Sequence, residues 1–178
     1  MDDDLQGWCE RAKALGADDV IPIAPVQVVT ADWVRMKCRF GCDGFGDCRT
    51  CPPHSPTPRE TRALLDEYGR ALLLCRGPNT GYDESDDHHI ALRRAATDLE
   101  RELFFAGYYR AFAIPSGPCE ECEECDQSVP CVHPERARPS MEACGVDVFK
   151  TVRNVGWEIE VVTSHEDPYR FFALVLLD

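Results

Sequence analysis

The sequence predicts an α+β fold, a single compact sandwich of helices over a mixed β-sheet, carrying two cysteine-rich loops. Three observations predict it. Short apolar or β-branched runs alternate with segments of helical period, yet they never build a long βα series. A chain of 178 residues suits one domain and can bury a real core. Its 11 cysteines concentrate in two stretches with little apolar content, 38–53 and 117–144, which read as loops folded around something.

Local patterns place the elements. Residues 1–19 are a polar lead with a helix around "WCERAKALG", ended by Gly16. "VIPIAPVQVVT" (20–30) is apolar and β-branched, but its prolines lack the amide of a central strand, which confines it to a sheet edge or an interrupted strand. "DWVRMKC" alternates through Trp33, Val34 and Met36 into Cys38, the pattern of a strand delivering a thiol at its end. Thr57, Pro58 and Glu60 open a helix with a capping box. Leu64, Leu65 and Tyr68 supply its buried stripe, and Gly69 stops it. "RALLLCR" is a short, fully apolar strand.

A polar loop (77–86) leads into the longest helix, 86–106, where Leu92, Ala95, Ala96, Leu99 and Leu103 fall at helical spacing. Asp86 and Asp87 suit its first turn by complementing the helix dipole, which accounts for "DDHH" without a metal. Gly107 ends that helix, and "YYRAFAI" is the next strand. "GVDVFKTVRNVG" is a helix with Val148, Val152 and Val155 on one side. "WEIEVV" and "FFALVLL" close the chain as two strands.

Charge and termini exclude several functions. The net charge is −13, from 32 acidic and 19 basic residues. Uniform binding along a nucleic-acid backbone needs a positive face, so none is expected. No apolar run is long enough to span a bilayer, so no membrane role is expected either. "MDDDLQGWCE" is acidic where a secretory signal is basic and then apolar. The expected compartment is the cytoplasm, where disulfides do not persist. An odd number of cysteines also cannot be consumed by complete pairing. Phosphate-loop, dinucleotide, nucleophile-elbow and haem-attachment motifs are absent.

Two thiol groups carry the remaining chemistry. The first, Cys38, Cys42, Cys48 and Cys51, has the spacing C-x3-C-x5-C-x2-C. The second, Cys119, Cys122, Cys125 and Cys131, has the spacing C-x2-C-x2-C-x5-C, with His133 and Cys144 downstream. Short spacings let neighbouring thiolates converge on a centre a few ångströms across, and thiolates are preferred ligands of zinc and of iron–sulfur clusters. Three cysteines in C-x2-C-x2-C wrap readily around three corners of a 4Fe–4S cubane. Structural zinc more often uses two separated C-x2-C pairs. A 4Fe–4S cluster is therefore expected at the second group, and a second cluster or zinc at the first. In two-cluster ferredoxins the fourth thiol of one run serves the other cluster, so the two groups can interlock in space.

Neighbouring residues admit more than one reading. "CRTC" satisfies the redox-dithiol pattern, but two prolines follow at once and two further cysteines precede it. Glu120, Glu121, Glu123, Glu124 and Asp126 cannot neutralise an anionic cluster. They either lower its potential, form a docking face for a basic redox partner, or simply keep an exposed loop in water. Cys144 is a fourth-ligand candidate alongside Cys131, or a buried thiol near a helix start. His133 is a candidate ligand or a local hydrogen-bonding group. Arg136 and Arg138 stand where they could offset cluster charge or grip an anion, or are ordinary surface arginines. Cys9 and Cys75 read as packing residues.

From Arg35 to Val162 the chain resembles an uncharacterised family of predicted metal-binding proteins. The resemblance rests on "VRMKCRFGCDGFGDCRTCPPHSPTPRE", "LERELFFAGYYRAFAIPSGPCEECEEC" and "CVHPERARPSMEACGVDVFKTVRN". It implies that Cys38, Cys42, Cys48, Cys51, Cys119, Cys122, Cys125, Cys131 and Cys144 match the family's thiol pattern, and it supplies no reaction. The expected function is a metal-binding, iron–sulfur protein that carries electrons or assists a redox enzyme. A zinc-stabilised binding module is the alternative, and an enzyme with an open iron is a third.

Overall fold

The computed structural model of the chain describes residues 3–80 and 85–178. Among them the order is α1 (Asp3–Leu15), β1 (Asp19–Ile23), a 3-10 turn (Pro25–Gln27), α2 (Asp32–Gly41), α3 (Pro58–Leu65) and β2 (Ala71–Asn79). Then follow α4 (Ser85–Phe105), β3 (Phe112–Ile114), α5 (Val148–Asn154) and β4 (Tyr169–Leu176). The expected α+β class holds. The sheet is not mixed, however: its strands run β1-β2-β4-β3, and every neighbouring pair is antiparallel. The cause is the last strand. β2 and β3 run the same way across the α4 crossover, but β4 inserts between them in the opposite sense.

Alternation along β2 builds the core in two halves. Leu72 and Leu74 face α1 and α4, packing with Leu5, Cys9, Leu92, Leu99 and Leu103. Ala71, Leu73 and Cys75 face the other side, with Leu65 of α3, Val152 of α5, Met141 and Cys144. A strand covered on both faces has no polar face to show, which is why "ALLLC" is continuously apolar. Each of its fully buried leucines contributes about 1.5–3 kcal/mol of burial. Cys9 and Cys75 are packing residues, as their apolar settings imply.

Several elements match their sequence signals. β1 is an edge strand with Pro22 in it. Thr57 caps α3 by accepting from the Glu60 amide at 3.3 Å, while the Glu60 carboxylate accepts from the Thr57 amide at 2.7 Å. All five apolar positions singled out in α4 are buried. α4 starts at Ser85, so "DDHH" does open a helix. Of the polar loop expected at 77–86, residues 77–79 belong to β2, and 81–84 lie outside the described residues.

Four expectations are corrected. "DWVRMKC" is helical, within α2, because only Val34 of its apolar residues is buried and no sheet face is there to receive the alternation. "WEIEVV" is extended but joins no ladder, since β4 takes the place beside β2. In "YYRAFAI" only Phe112–Ile114 pairs, because 108–111 turn the chain out of α4. α3 ends at Leu65 rather than Gly69, on an Asp66 cap. Among the described residues no helix is long and apolar enough to cross a membrane.

Candidate metal centre

The first cysteine loop leaves the end of α2. That helix carries Cys38 on its last turn, and Cys42 caps it. Residues 43–55 then form successive tight turns. The Cys51 amide donates to the Cys48 carbonyl at 3.0 Å, and the His54 and Ser55 amides donate back to Cys51 at 2.9 and 3.1 Å. Arg35 of α2 clasps the far side of the loop. Its guanidinium donates to Ser55 Oγ at 2.8 Å, to the Pro56 carbonyl at 3.1 Å and to the Ala143 carbonyl at 2.8 Å.

The second loop is pinned to α4. His89, Arg93 and Glu100 recur on one side of that helix, spaced four and seven residues apart. Arg93, 1% exposed, donates to the Gly117 carbonyl at 3.2 Å and also to the carbonyls of Ser116 and Arg138. Glu100 accepts from Arg138 Nε at 2.8 Å, and Asp98 pairs with Arg136 at 3.0 Å. Arg136 and Arg138 are thus tied to carboxylates of α4. Gly117 has φ +61, and a Cβ there would lie 2.5 Å from the His89 ring, so the turn into the loop requires glycine. His89 Nε2 approaches Glu120 Oε1 at 3.3 Å without hydrogen-bond alignment.

The two loops then lock together. Arg49 Nη2 donates to the Gln127 carbonyl at 2.6 Å and also to that of Val129, while Gln127 Nε2 donates to the Gly46 carbonyl at 2.6 Å. The division into two groups by sequence is therefore bridged in space. Cys48, buried at 9% exposure, is the hub: the Cys119 and Cys51 thiols share hydrogen bonds with its sulfur, and Thr50 Oγ1 lies 3.1 Å away. Donation from Cys119 and Cys51 holds Cys48 far below the ordinary thiol range. Those same bonds, and then desolvation, push Cys51 and Cys119 up.

The other thiols surround this trio. Cys42 and Cys38 act electrostatically on Cys51. Cys38 is itself raised, first by burial and then by Cys42 and Glu142. Cys122 is raised first by desolvation and then by Cys125, Cys131 and nearby Glu121. Cys144 stands apart, in the apolar core with Leu65 and Met141, where burial pushes its thiol up to about 12. His133 opens a turn that closes on Arg136, 4.0 Å from Glu135.

An all-sulfur donor set fits iron–sulfur clusters and zinc and excludes hard cations such as magnesium. Among the described residues, no three His, Cys, Asp or Glu side chains are arranged to hold one ion, and the cysteines are free thiols. A second observation bears on the fit. Arg35, Arg49 and Arg93 form no ion pair with a carboxylate among the described residues, and Arg49 Nε and Arg93 Nε are buried without a partner. Two of these guanidiniums, those of Arg49 and Arg93, keep an orphaned donor at the interlocked cysteine loops, which suits an anionic sulfur centre, since an unpaired buried cation costs several kcal/mol, an order-of-magnitude figure. Sequence reasoning missed Arg35, Arg49, His89 and Arg93. The available signal was a cation set against the apolar stripe of α4, beside Leu92.

No curated protein and no solved structure matches the chain. A family model described as predicted metal-binding protein, DUF2284, matches residues 21–177. That span covers both cysteine loops, three of the four strands whole and the end of β1, so the chain belongs to this family of predicted metal-binding proteins.

Proposed function

We propose that the interlocked loops hold iron–sulfur chemistry, one or two 4Fe–4S clusters, and that the protein carries electrons or assists a redox enzyme. Cys38, Cys42, Cys48, Cys51, Cys119, Cys122, Cys125 and Cys131 are the ligand set, with Cys144 a packing thiol. The observation that carries this reading is the pair of orphaned, buried Nε atoms of Arg49, next to Cys48 in the first loop, and of Arg93, which acts electrostatically on Cys119. N–H donors of this kind are what cluster sulfurs accept, and they raise the potential of the centre they face. A thiolate-bound cluster supplies a one-electron carrier whose potential its surroundings set.

The chain's own residues supply the rest. Arg93 holds both ends of the second loop, Arg35 holds the first, and Arg49 fixes their separation. Cys48, whose thiol is lowered by hydrogen bonds from Cys119 and Cys51, is the most readily deprotonated ligand of the three. Glu123 and Glu124 are exposed on the second loop and suit a basic redox partner. Purification under strict anaerobiosis tests the reading. Iron and acid-labile sulfide in near-equal amounts, with broad visible absorbance that Cys122→Ser diminishes, are expected. A colourless protein with stoichiometric zinc sinks it in favour of the structural zinc module.

A further inference from the structure

A cavity of about 700 Å³ opens beside the metal centre, with Cys38 in its wall. α2, α5, the 157–163 segment and the start of β4 enclose it. Its volume falls within the range of small-molecule sites, about 300–1,000 Å³. Five aromatic residues line it: Trp33, Phe149, Tyr169, Phe171 and Phe172. The wall at 157–163 is fixed by specific bonds to α5 and β4. Arg153 donates to the Ile159 carbonyl at 3.0 Å and Arg170 to the Glu158 carbonyl at 3.2 Å. An extended segment fixed in this way keeps the space open instead of closing it as a fifth strand.

The lining also says what charge the occupant has. Lys37 and Arg170 stand against Glu142, Glu158 and Glu160, on a chain of net charge −13, which disfavours an anion. The aromatic rings are partly spoken for by protein cations: Lys37 lies over Trp33 at 5.7 Å and Arg153 over Phe149 at 5.6 Å, which disfavours a cationic ligand. A neutral, flat, mostly apolar molecule remains. Ser116 borders the cavity, 2% exposed, and its hydroxyl has no partner, so the wall offers a donor to a ligand carbonyl.

We propose that this cavity binds a neutral aromatic molecule with a carbonyl edge, of the quinone class, against the Cys38 side of the centre. The ligand's use as an electron carrier rests on the iron–sulfur reading, whereas its binding does not. The probe is 2,3-dimethyl-1,4-naphthoquinone, whose substituted ring carbons resist addition of thiols. It is titrated calorimetrically into the anaerobically purified, metal-bearing protein, beside the carbonyl-free 2,3-dimethylnaphthalene. Saturable binding of one quinone per chain is expected. Val148→Trp and Val162→Trp, which fill the cavity from two elements, lower that affinity at least tenfold with metal content unchanged. Ser116→Ala weakens the quinone severalfold and leaves the hydrocarbon unaffected.

No saturable binding, or undiminished binding by both filled variants when folded, overturns the site. Equal loss of both probes in Ser116→Ala overturns the carbonyl edge. A zinc-bearing, colourless protein that still binds the quinone sinks the electron-carrier reading and leaves the site standing. A cluster-bearing protein that binds none does the reverse.

Discussion

Arg49, in the first cysteine loop, donates to the backbone carbonyl of Gln127, in the second, at 2.6 Å, across 78 residues of sequence. This bond and the return bond from Gln127 to Gly46 make one centre of two loops. Arg49→Ala removes two charge-assisted bonds, each worth about 1.5–3 kcal/mol where shielded from water. The contact joins two loops and involves no helix or strand, so the fold should survive. Metal content measured by mass spectrometry should fall to less than half, while the far-ultraviolet circular dichroism stays unchanged. Full metal occupancy in this variant would show that each loop holds its metal alone.

Arg93 reaches from α4 to three carbonyls at the two ends of the second loop. Arg93→Met keeps the length and apolar stem but leaves those buried carbonyls unsatisfied, at a cost of about 2–4 kcal/mol. Amide exchange should accelerate selectively at 116–139, with the β2 and β4 amides still protected. Uniform acceleration would mean that Arg93 supports the whole core and not the loop. If the centre is a cluster, its midpoint potential in Arg93→Lys should fall, because a lysine cannot reproduce the Nε donor.

Sequence patterns revealed what local physics decides and missed what long-range pairing decides. The α3 cap, the α4 stripe and the apolar β2 run were legible because each is fixed by residues a few positions apart. The strand reading of "WEIEVV" failed because β4, from the very end of the chain, takes the place beside β2. The strand reading of "DWVRMKC" failed because alternation over so few residues also fits a helix with one buried position, Val34. The thiol groups were legible as groups, since their spacing is local. Their meeting through Cys48 and Cys119 was open only as a possibility of interlocking, because no local pattern encodes a contact across 71 positions.

The α3 capping box ties the first loop's exit to a helix. Thr57 accepts the Glu60 amide, and Glu60 accepts the Thr57 amide and hydroxyl. Thr57→Ala should cost about 1 kcal/mol of stability, as N-cap losses typically do. Thr57→Ser should restore most of it. Both are read from urea unfolding midpoints at unchanged slope. A cost above that of a core truncation such as Leu73→Ala, about 2–5 kcal/mol for a fully buried leucine, would assign Thr57 a role beyond the cap.

Cys75 gives the fold an alkaline limit of its own. It sits on β2, in the same core cluster as Met141 and Cys144, and burial pushes its thiol up to about 12 from an ordinary value of 9.0. A thiol raised on folding is neutral in both states below its unfolded value, so its contribution is fully present there. Above pH 9 the unfolded chain loses the proton first, and stability declines until the folded thiol also ionises near 12. A shift of this size is worth up to about 4 kcal/mol over that window. Cys75→Ala should therefore start less stable at neutral pH, by about 1 kcal/mol for the lost sulfur. Its unfolding free energy should then fall less steeply than that of the parent between pH 9 and pH 11. Parallel curves for the two proteins would show that the Cys75 thiol holds its proton equally in the folded and unfolded states across this range.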